Sequence, residues 1–151
     1  MPELNGANHT VLYVEDEEND AFLMRMAFSR AGLPAALRVV DNGQEALDYL
    51  SGTGVFVQRD QFPVPQLVLL DLNLPILPGF EVLKWIKQQP KLIDLPVVIF
   101  SSSSREDDKQ KARELGANDY LEKPQTFGSF EDLVEQLRQK FLARGERPSS
   151  F

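Results

Sequence analysis

Four short runs dominated by apolar residues recur along the chain: Val11-Leu12-Tyr13-Val14, Leu37-Arg38-Val39-Val40, Leu67-Val68-Leu69-Leu70 and Val97-Val98-Ile99-Phe100. Continuous rather than alternating apolarity marks strands buried on both faces, the signature of a parallel sheet covered by helices. Tyr120-Leu121-Glu122 is a fifth, shorter candidate. Between these runs the apolar period lengthens to that of a helix. Ala21, Met24, Phe28 and Ala31 share one face of a first helix, which Gly32 and Pro34 close. A second runs from Gln44 to Leu50 and is opened by Asn42-Gly43; a third runs from Phe80 to Gln88 and stops before Pro90. A fourth spans Asp107 to Leu115, with Ser104 and Asp107 as a capping box and Gly116 as C-cap. Phe130, Leu133, Val134, Leu137 and Phe141 form the stripe of a fifth. Five alternations of strand and helix, joined by right-handed crossovers, predict an α/β fold: an open, doubly wound parallel sheet with helices on both faces. The pattern does not fix the strand order.

Two segments break this rhythm. Ser51 to Pro65 is a long connection rich in Gly and Pro that carries Val55, Phe56, Val57 and Phe62. It reads as a surface loop packing its own apolar residues, with a partner contact as the other reading. The expected organisation is a flexible N-terminus over 1–10, one domain over 11–142 and a disordered tail over 143–151.

Composition narrows the chemistry. The 151 residues suit a single domain, and 42% apolar with 26% charged is ordinary for a globular chain with a real core. A net charge of −7 argues against a general nucleic-acid binder, which needs a basic face. There is no cysteine and one histidine, His9, so thiol catalysis, disulfides and most transition-metal sites are excluded. No apolar run approaches bilayer length, so no membrane span is expected and a cytoplasmic location is the default.

In an open parallel sheet, ligands bind beyond the carboxyl ends of the strands. Glu15 and Asp16 follow the first run, Asp71 the third, Ser101 to Ser104 the fourth, and Lys123-Pro124 the fifth. Taken singly, each has an ordinary structural reading: acids opening a helix, a strand-ending aspartate, a serine loop, a solvated lysine. Together they place three carboxylates, a hydroxyl and an ammonium on one rim. Clustered carboxylates repel, and a hard divalent cation such as magnesium resolves that repulsion. A carboxylate held beside a cation, a lysine and a hydroxyl can attack a phosphorus centre. No Walker A loop and no Gly-rich dinucleotide motif is present.

On these residues the chain resembles the receiver domains of two-component response regulators, from about Val11 to Leu142. The matching segments are Val14-Glu15-Asp16, Leu70-Asp71-Leu72-Asn73-Leu74-Pro75 with Gly79, Phe100-Ser101-Ser102, and Tyr120-Leu121-Glu122-Lys123-Pro124. The resemblance implies a flavodoxin-like five-stranded sheet of order 2-1-3-4-5 with five helices. It implies Asp71 as phospho-acceptor, and Glu15, Asp16, Asp71 and the Asn73 carbonyl as the Mg2+ site. Ser101 and Lys123 would meet the phosphoryl group, Ser101 and Tyr120 would form the switch, and Lys123–Pro124 would commonly be a cis bond. Glu15 stands where Asp is common, Ser101 where Thr is common, and Pro78 where an acid is common. The long 51–65 connection resembles that of stand-alone regulators paired with phytochrome-type histidine kinases.

The expected function is therefore a single-domain response regulator rather than an enzyme acting on external substrates. It would be phosphorylated on Asp71 by a cognate histidine kinase and act by protein contact or phosphorelay. The expected partners are that kinase and a second copy of the chain, met through the face of helix 4, strand 5 and helix 5. The main alternative is a receiver-like adaptor that works without phosphorylation. A phosphohydrolase would carry an acid where Asn73 stands, and an acidic rim would repel the phosphate of a flavin.

Overall fold

The computed structural model describes residues 9–33 and 35–142. Five strands, β1 (His9–Val14), β2 (Ala35–Val40), β3 (Leu67–Leu70), β4 (Val97–Ser101) and β5 (Asp119–Glu122), form one sheet of order β2-β1-β3-β4-β5. Every pairing is parallel. The helices are α1 (Glu18–Ala31), α2 (Gly43–Ser51), α3 (Gly79–Gln88), α4 (Glu106–Glu114) and α5 (Phe127–Leu137), the last prolonged by a π turn over Arg138–Leu142. This is the flavodoxin-like order that the resemblance implies.

The continuous apolar runs exist because each strand feeds two cores. Val11 and Tyr13 of β1 join Leu67, Leu69, Val98 and Phe100 beneath α1 and α5. Leu12 and Val14 point the other way, joining Val68, Leu70, Val97 and Ile99 beneath α2 and α3. Strand geometry alternates side chains between faces, so an interior parallel strand is apolar at every position. β2 departs from that expectation. It is an edge strand, with Leu37 and Val39 half-buried and Arg38 exposed, which explains the interrupting arginine.

Most element ends are set by local chemistry. Asn42 caps α2 by accepting from the Glu45 amide at 2.8 Å, while Glu45 Oε1 accepts from the Asp41 amide at 3.3 Å. Gly32 and Gly52 end α1 and α2 at φ 63° and 70°, the left-handed region that glycine adopts freely. The capping box expected at Ser104 and Asp107 does not form. α4 starts at Glu106, and the hydroxyl that accepts from the Arg105 amide, at 3.2 Å, belongs to Ser103. Gly116 does follow the C-cap of α4, at φ 97°. The Lys123–Pro124 bond is trans, against the expectation of cis.

β1 begins at His9, within the segment expected to be flexible over 1–10; 1–8 and the expected tail over 143–151 lie outside the described residues. In the 51–65 connection, Phe56 and Phe62 pack on Tyr49 with ring centroids 5.0 and 6.1 Å away. Arg59 clamps the loop by donating to the carbonyls of Leu50 and Phe62, both at 2.8 Å. Val55 and Val57 remain exposed.

The loop from Asp71 to α3 is drawn against the strand end by Gly79, whose amide donates to the Leu72 carbonyl at 3.0 Å. A Cβ on Gly79 would collide with the Asp71 carbonyl and stand 2.8 Å from Leu72 Cα. Both neighbours are backbone and cannot swing aside. Gly79→Ala is therefore expected to cost about 1–3 kcal/mol of unfolding free energy. Gly128→Ala, where a Cβ meets nothing within 4 Å inside α5, is expected to be neutral or to stabilise by up to about 1 kcal/mol. Urea denaturation of the two variants measures the contrast.

Candidate functional site

The strand ends bring the site residues together through ladder hydrogen bonds that run past the strands. The Glu15 amide donates to the Val40 carbonyl at 2.9 Å, the Asp71 amide to Val14 at 3.2 Å, and the Lys123 amide to Ser101 at 2.8 Å. The β1–β3 register, Val14 opposite Leu70, thus sets Glu15 beside Asp71. Carboxylate oxygens of Glu15, Asp16 and Asp71 all lie within 4.8 Å of one another.

Glu15 and Asp71 are only 2% and 4% exposed, whereas Asp16 faces solvent. Lys123 Nζ reaches between the acids, 2.9 Å from Glu15 Oε1, 3.2 Å from Asp71 Oδ2 and 2.8 Å from Asp20 Oδ2. Glu15 also accepts from the Tyr13 hydroxyl at 2.9 Å and from the Glu17 amide at 3.2 Å. The Asn73 amide donates to Asp71 Oδ1 at 3.4 Å.

The electrostatics follow from burial. Loss of water pushes the Glu15 carboxyl up from 4.5 to about 7, the Lys123 ammonium pulls it back, and the charge of Asp71 adds to the rise. For Lys123, burial favours the neutral amine. The hydrogen bonds to Asp20 and Glu15 and the charge of Asp71 outweigh it, so the ammonium is held above the usual lysine range. Burial, and then the neighbouring charge of Glu15, raise the Tyr13 phenol well above its usual value. Tyr13 therefore stays a hydrogen-bond donor.

The residues fit a hard divalent cation. The three oxygens converge, two of the carboxylates are buried and the third opens to solvent. Burial first, and then the charge of Asp71, raise the Glu15 carboxyl, and one cationic ammonium offsets that rise only in part. Glu15, Asp16, Asp71 and the main chain of Asn73 are the groups that could hold such an ion.

Ser101 and Tyr120 sit further along the rim. Ser101 is fully buried, and its Oγ accepts from the Ser103 amide at 3.1 Å. The Tyr120 hydroxyl donates to the Ser103 carbonyl at 2.8 Å. The two expected switch residues thus meet at one residue, Ser103, rather than at each other. Tyr120 is already turned in, with 9% exposure. Tyr13, Asp20 and Ser103 were not picked out from the sequence. Tyr13 had a signal, because a residue two before Glu15 on a strand shares its face. Asp20 had a weaker one, as an acid in the first turn of the helix that follows Glu15 and Asp16.

Comparison with known proteins agrees with this geometry. The response regulator receiver domain family matches residues 11–138. The probable methanogenesis regulatory protein FilR2 of Methanothrix harundinacea is 36% identical over 138 residues, covering 91% of this chain and 86% of that protein. Response regulator Rcp1 of Synechocystis is 33% identical over 150 residues, 99% of this chain and 100% of its own. Among solved structures, the phosphorylated cyanobacterial phytochrome response regulator RcpA superposes with a TM-score of 0.84 at 34% identity, covering 94% of this chain and 100% of that one. The Mn2+-bound form of Rcp1 superposes with a TM-score of 0.82 at 32% identity, with the same coverage. The chain belongs to the response regulator receiver family. It is similar to phytochrome response regulators, and no helix among its described residues is long and apolar enough to cross a membrane.

The raised Glu15 carboxyl gives a signed pH dependence. Between about pH 4.5 and 7 the folded protein holds a proton on Glu15 that the unfolded chain has lost, so this group erodes stability as pH rises. Metal-free Glu15→Gln should therefore gain on the wild type across that window, by on the order of 1–3 kcal/mol, and stay level above it. Denaturant unfolding at a series of pH values in the presence of a chelator measures the gap.

Proposed function

We propose that the chain is a phosphorylation switch that takes a phosphoryl group on Asp71 from a histidine kinase, with Mg2+ held by Glu15, Asp16, Asp71 and the main chain of Asn73. The observation that carries this reading is the Asp71 carboxylate, ended by a buried strand and met by Lys123 at 3.2 Å, inside a cluster of converging acids. The phytochrome association in the names of similar structures supports a phytochrome-type kinase as the donor.

An Asp71 oxygen attacks the phosphorus of a phosphohistidine. A P–O bond forms, the P–N bond breaks, and the imidazole leaves with the electron pair. Charge on the three equatorial oxygens needs compensation as the group passes. Bound magnesium would supply part of it as a Lewis acid. Lys123 supplies the rest from its place between Asp71 and Glu15, and the buried Glu15, held by Tyr13, keeps the ammonium aimed at the acceptor. Hydrolysis of the acyl phosphate then resets the switch.

The output begins at Ser101. Its hydroxyl now accepts from Ser103. When it turns to donate to a phosphoryl oxygen, the Ser103 peptide loses that acceptor, and with it moves the carbonyl that holds Tyr120. α4 follows easily, because Ala112 is its only buried residue. The face of α4, β5 and α5 changes as a result, and a partner protein or a second copy of the chain reads it. This action is cytoplasmic and involves neither membrane nor nucleic acid. Against the reading as a phosphorylation-independent adaptor stands the retention of both Asp71 and Lys123 in direct contact.

Acetyl phosphate with magnesium should add one phosphoryl group to the intact mass of the wild type and none to Asp71→Asn, and hydroxylamine should remove it. A label that resists hydroxylamine and yields to alkali would instead place the phosphate on serine. Calorimetric magnesium titration should show a larger loss of affinity in Asp16→Ala than in Glu15→Gln, because Asp16 is open to the ion while Glu15 is already engaged by Tyr13 and Lys123. In Ser101→Ala, any change of self-association produced by beryllofluoride in the wild type should be lost.

A further inference from the structure

The Lys123 ammonium has three protons to donate. Three carboxylates take them: Asp20 at 2.8 Å, Glu15 at 2.9 Å and Asp71 at 3.2 Å. The ammonium is therefore shared among three acids, with hydrogen bonds to Asp20 and Asp71 and an ion pair to Glu15, before any phosphoryl group arrives. Asp20 makes the shortest of the three contacts, and it comes from α1 rather than from a strand end.

A phosphoryl group on Asp71 brings a charge of about −1.5 to −2 and strong acceptor oxygens. It takes over the contact that Asp71 now makes, and its further oxygens can draw a second proton only from Glu15 or Asp20. Glu15 is a poor one to release, because its side chain is wholly buried and an unpaired buried carboxylate is costly. The Asp20 side chain is 23% exposed, so water can take over its hydrogen bonds, and the first turn of α1 favours its charge.

We infer that Asp20 is a positioning residue that competes with the phosphoryl group for Lys123, and so sets how tightly the site holds that group. The inference rests on the proposed function of Asp71. Asp20 acts in two ways at once: it occupies one ammonium proton, and its negative charge opposes a second anion arriving nearby. Both act in the same direction, so loss of the charge strengthens the site.

The test is the affinity for beryllofluoride, an analogue of the phosphoryl group, followed by 19F NMR at saturating magnesium. Asp20→Asn keeps the size of the side chain and removes its charge. It should bind beryllofluoride about three- to tenfold more tightly than the wild type, the size of one partly exposed ion pair. Asp20→Glu, which restores the charge, should stay within about twofold of the wild type. Thermal melts of each variant report folding, and Asp20→Ser replaces Asp20→Asn should the latter melt early. A residue with a merely structural role would weaken binding or leave it unchanged when altered, and that result, with normal binding by the wild type, overturns this inference alone. Tightening in Asp20→Glu equal to that in Asp20→Asn would also overturn it, since charge would then be irrelevant. Failure of the wild type itself to bind would overturn the phospho-acceptor reading and this inference with it.

Discussion

One interaction governs the site: the ammonium of Lys123 set among the carboxylates of Glu15, Asp71 and Asp20. The parallel sheet creates the need for it. Running β1 and β3 side by side in register carries Glu15 and Asp71 to the same rim, each at the end of a buried strand. Two carboxylates there lose water and repel one another. Lys123 answers from just past the end of β5, two strands away from β3: its amide donates to the Ser101 carbonyl of β4, and its side chain reaches back across the rim to the acids. The strand order β2-β1-β3-β4-β5 is thus not only a packing solution. It lets one cation serve acids from two different strands and a helix.

The same arrangement explains how an acid group buried in a stable core stays available for chemistry. A buried ion pair is weak evidence for stability, since desolvation offsets most of its attraction. Here the raised Glu15 carboxyl shows that the compensation is incomplete. An incompletely neutralised cluster has room for more positive charge, as a metal ion, and its lysine can transfer to a stronger anion. Around it the support is rigid on one side and loose on the other. Glu15 is fixed by Tyr13, whose ring packs on Phe100 at 5.9 Å, and Gly79 presses the Asp71 loop against the sheet. On the other side, Ser103 joins Ser101 to Tyr120, and the polar α4 buries only Ala112.

Much of this was legible in the sequence, for physical reasons that can be named. The interior strands β1, β3 and β4 show because burial on two faces makes them apolar throughout. The edge strand β2 was misjudged as buried, because Leu37, Val39 and Val40 hide an alternation that only Arg38 reveals. Glu15, Asp16, Asp71, Ser101 and Lys123 could be picked out because each stands at or just past the end of an apolar run, where a strand end delivers it to the rim. Tyr13 was hidden inside such a run, where an aromatic reads as core and only its hydroxyl betrays a polar role. Asp20 was hidden among the acids that open α1 and suit any helix N-terminus. The side-chain cap of α4 does not form, because the helix starts at Glu106 with Arg105 at its N-cap, and the hydroxyl nearest that end, Ser103, accepts from the Arg105 amide instead. The trans bond at Lys123–Pro124 had no signature in the residues themselves.

The claim that Lys123 exists to hold buried negative charge is tested most directly by the pH dependence of its own contribution to stability. Its folded-state pKa lies above the ordinary 10.5, so the ammonium is present throughout the neutral range. What changes is its partner, because Glu15 takes up a proton as pH falls through about 7. The unfolding free energy of metal-free Lys123→Met should therefore fall well below that of the wild type at pH 8, and the gap should narrow by on the order of 1–3 kcal/mol at pH 5. A gap of the same size at both pH values would contradict the account, showing that Lys123 supports the fold through its packing and not through the charge of the acids around it.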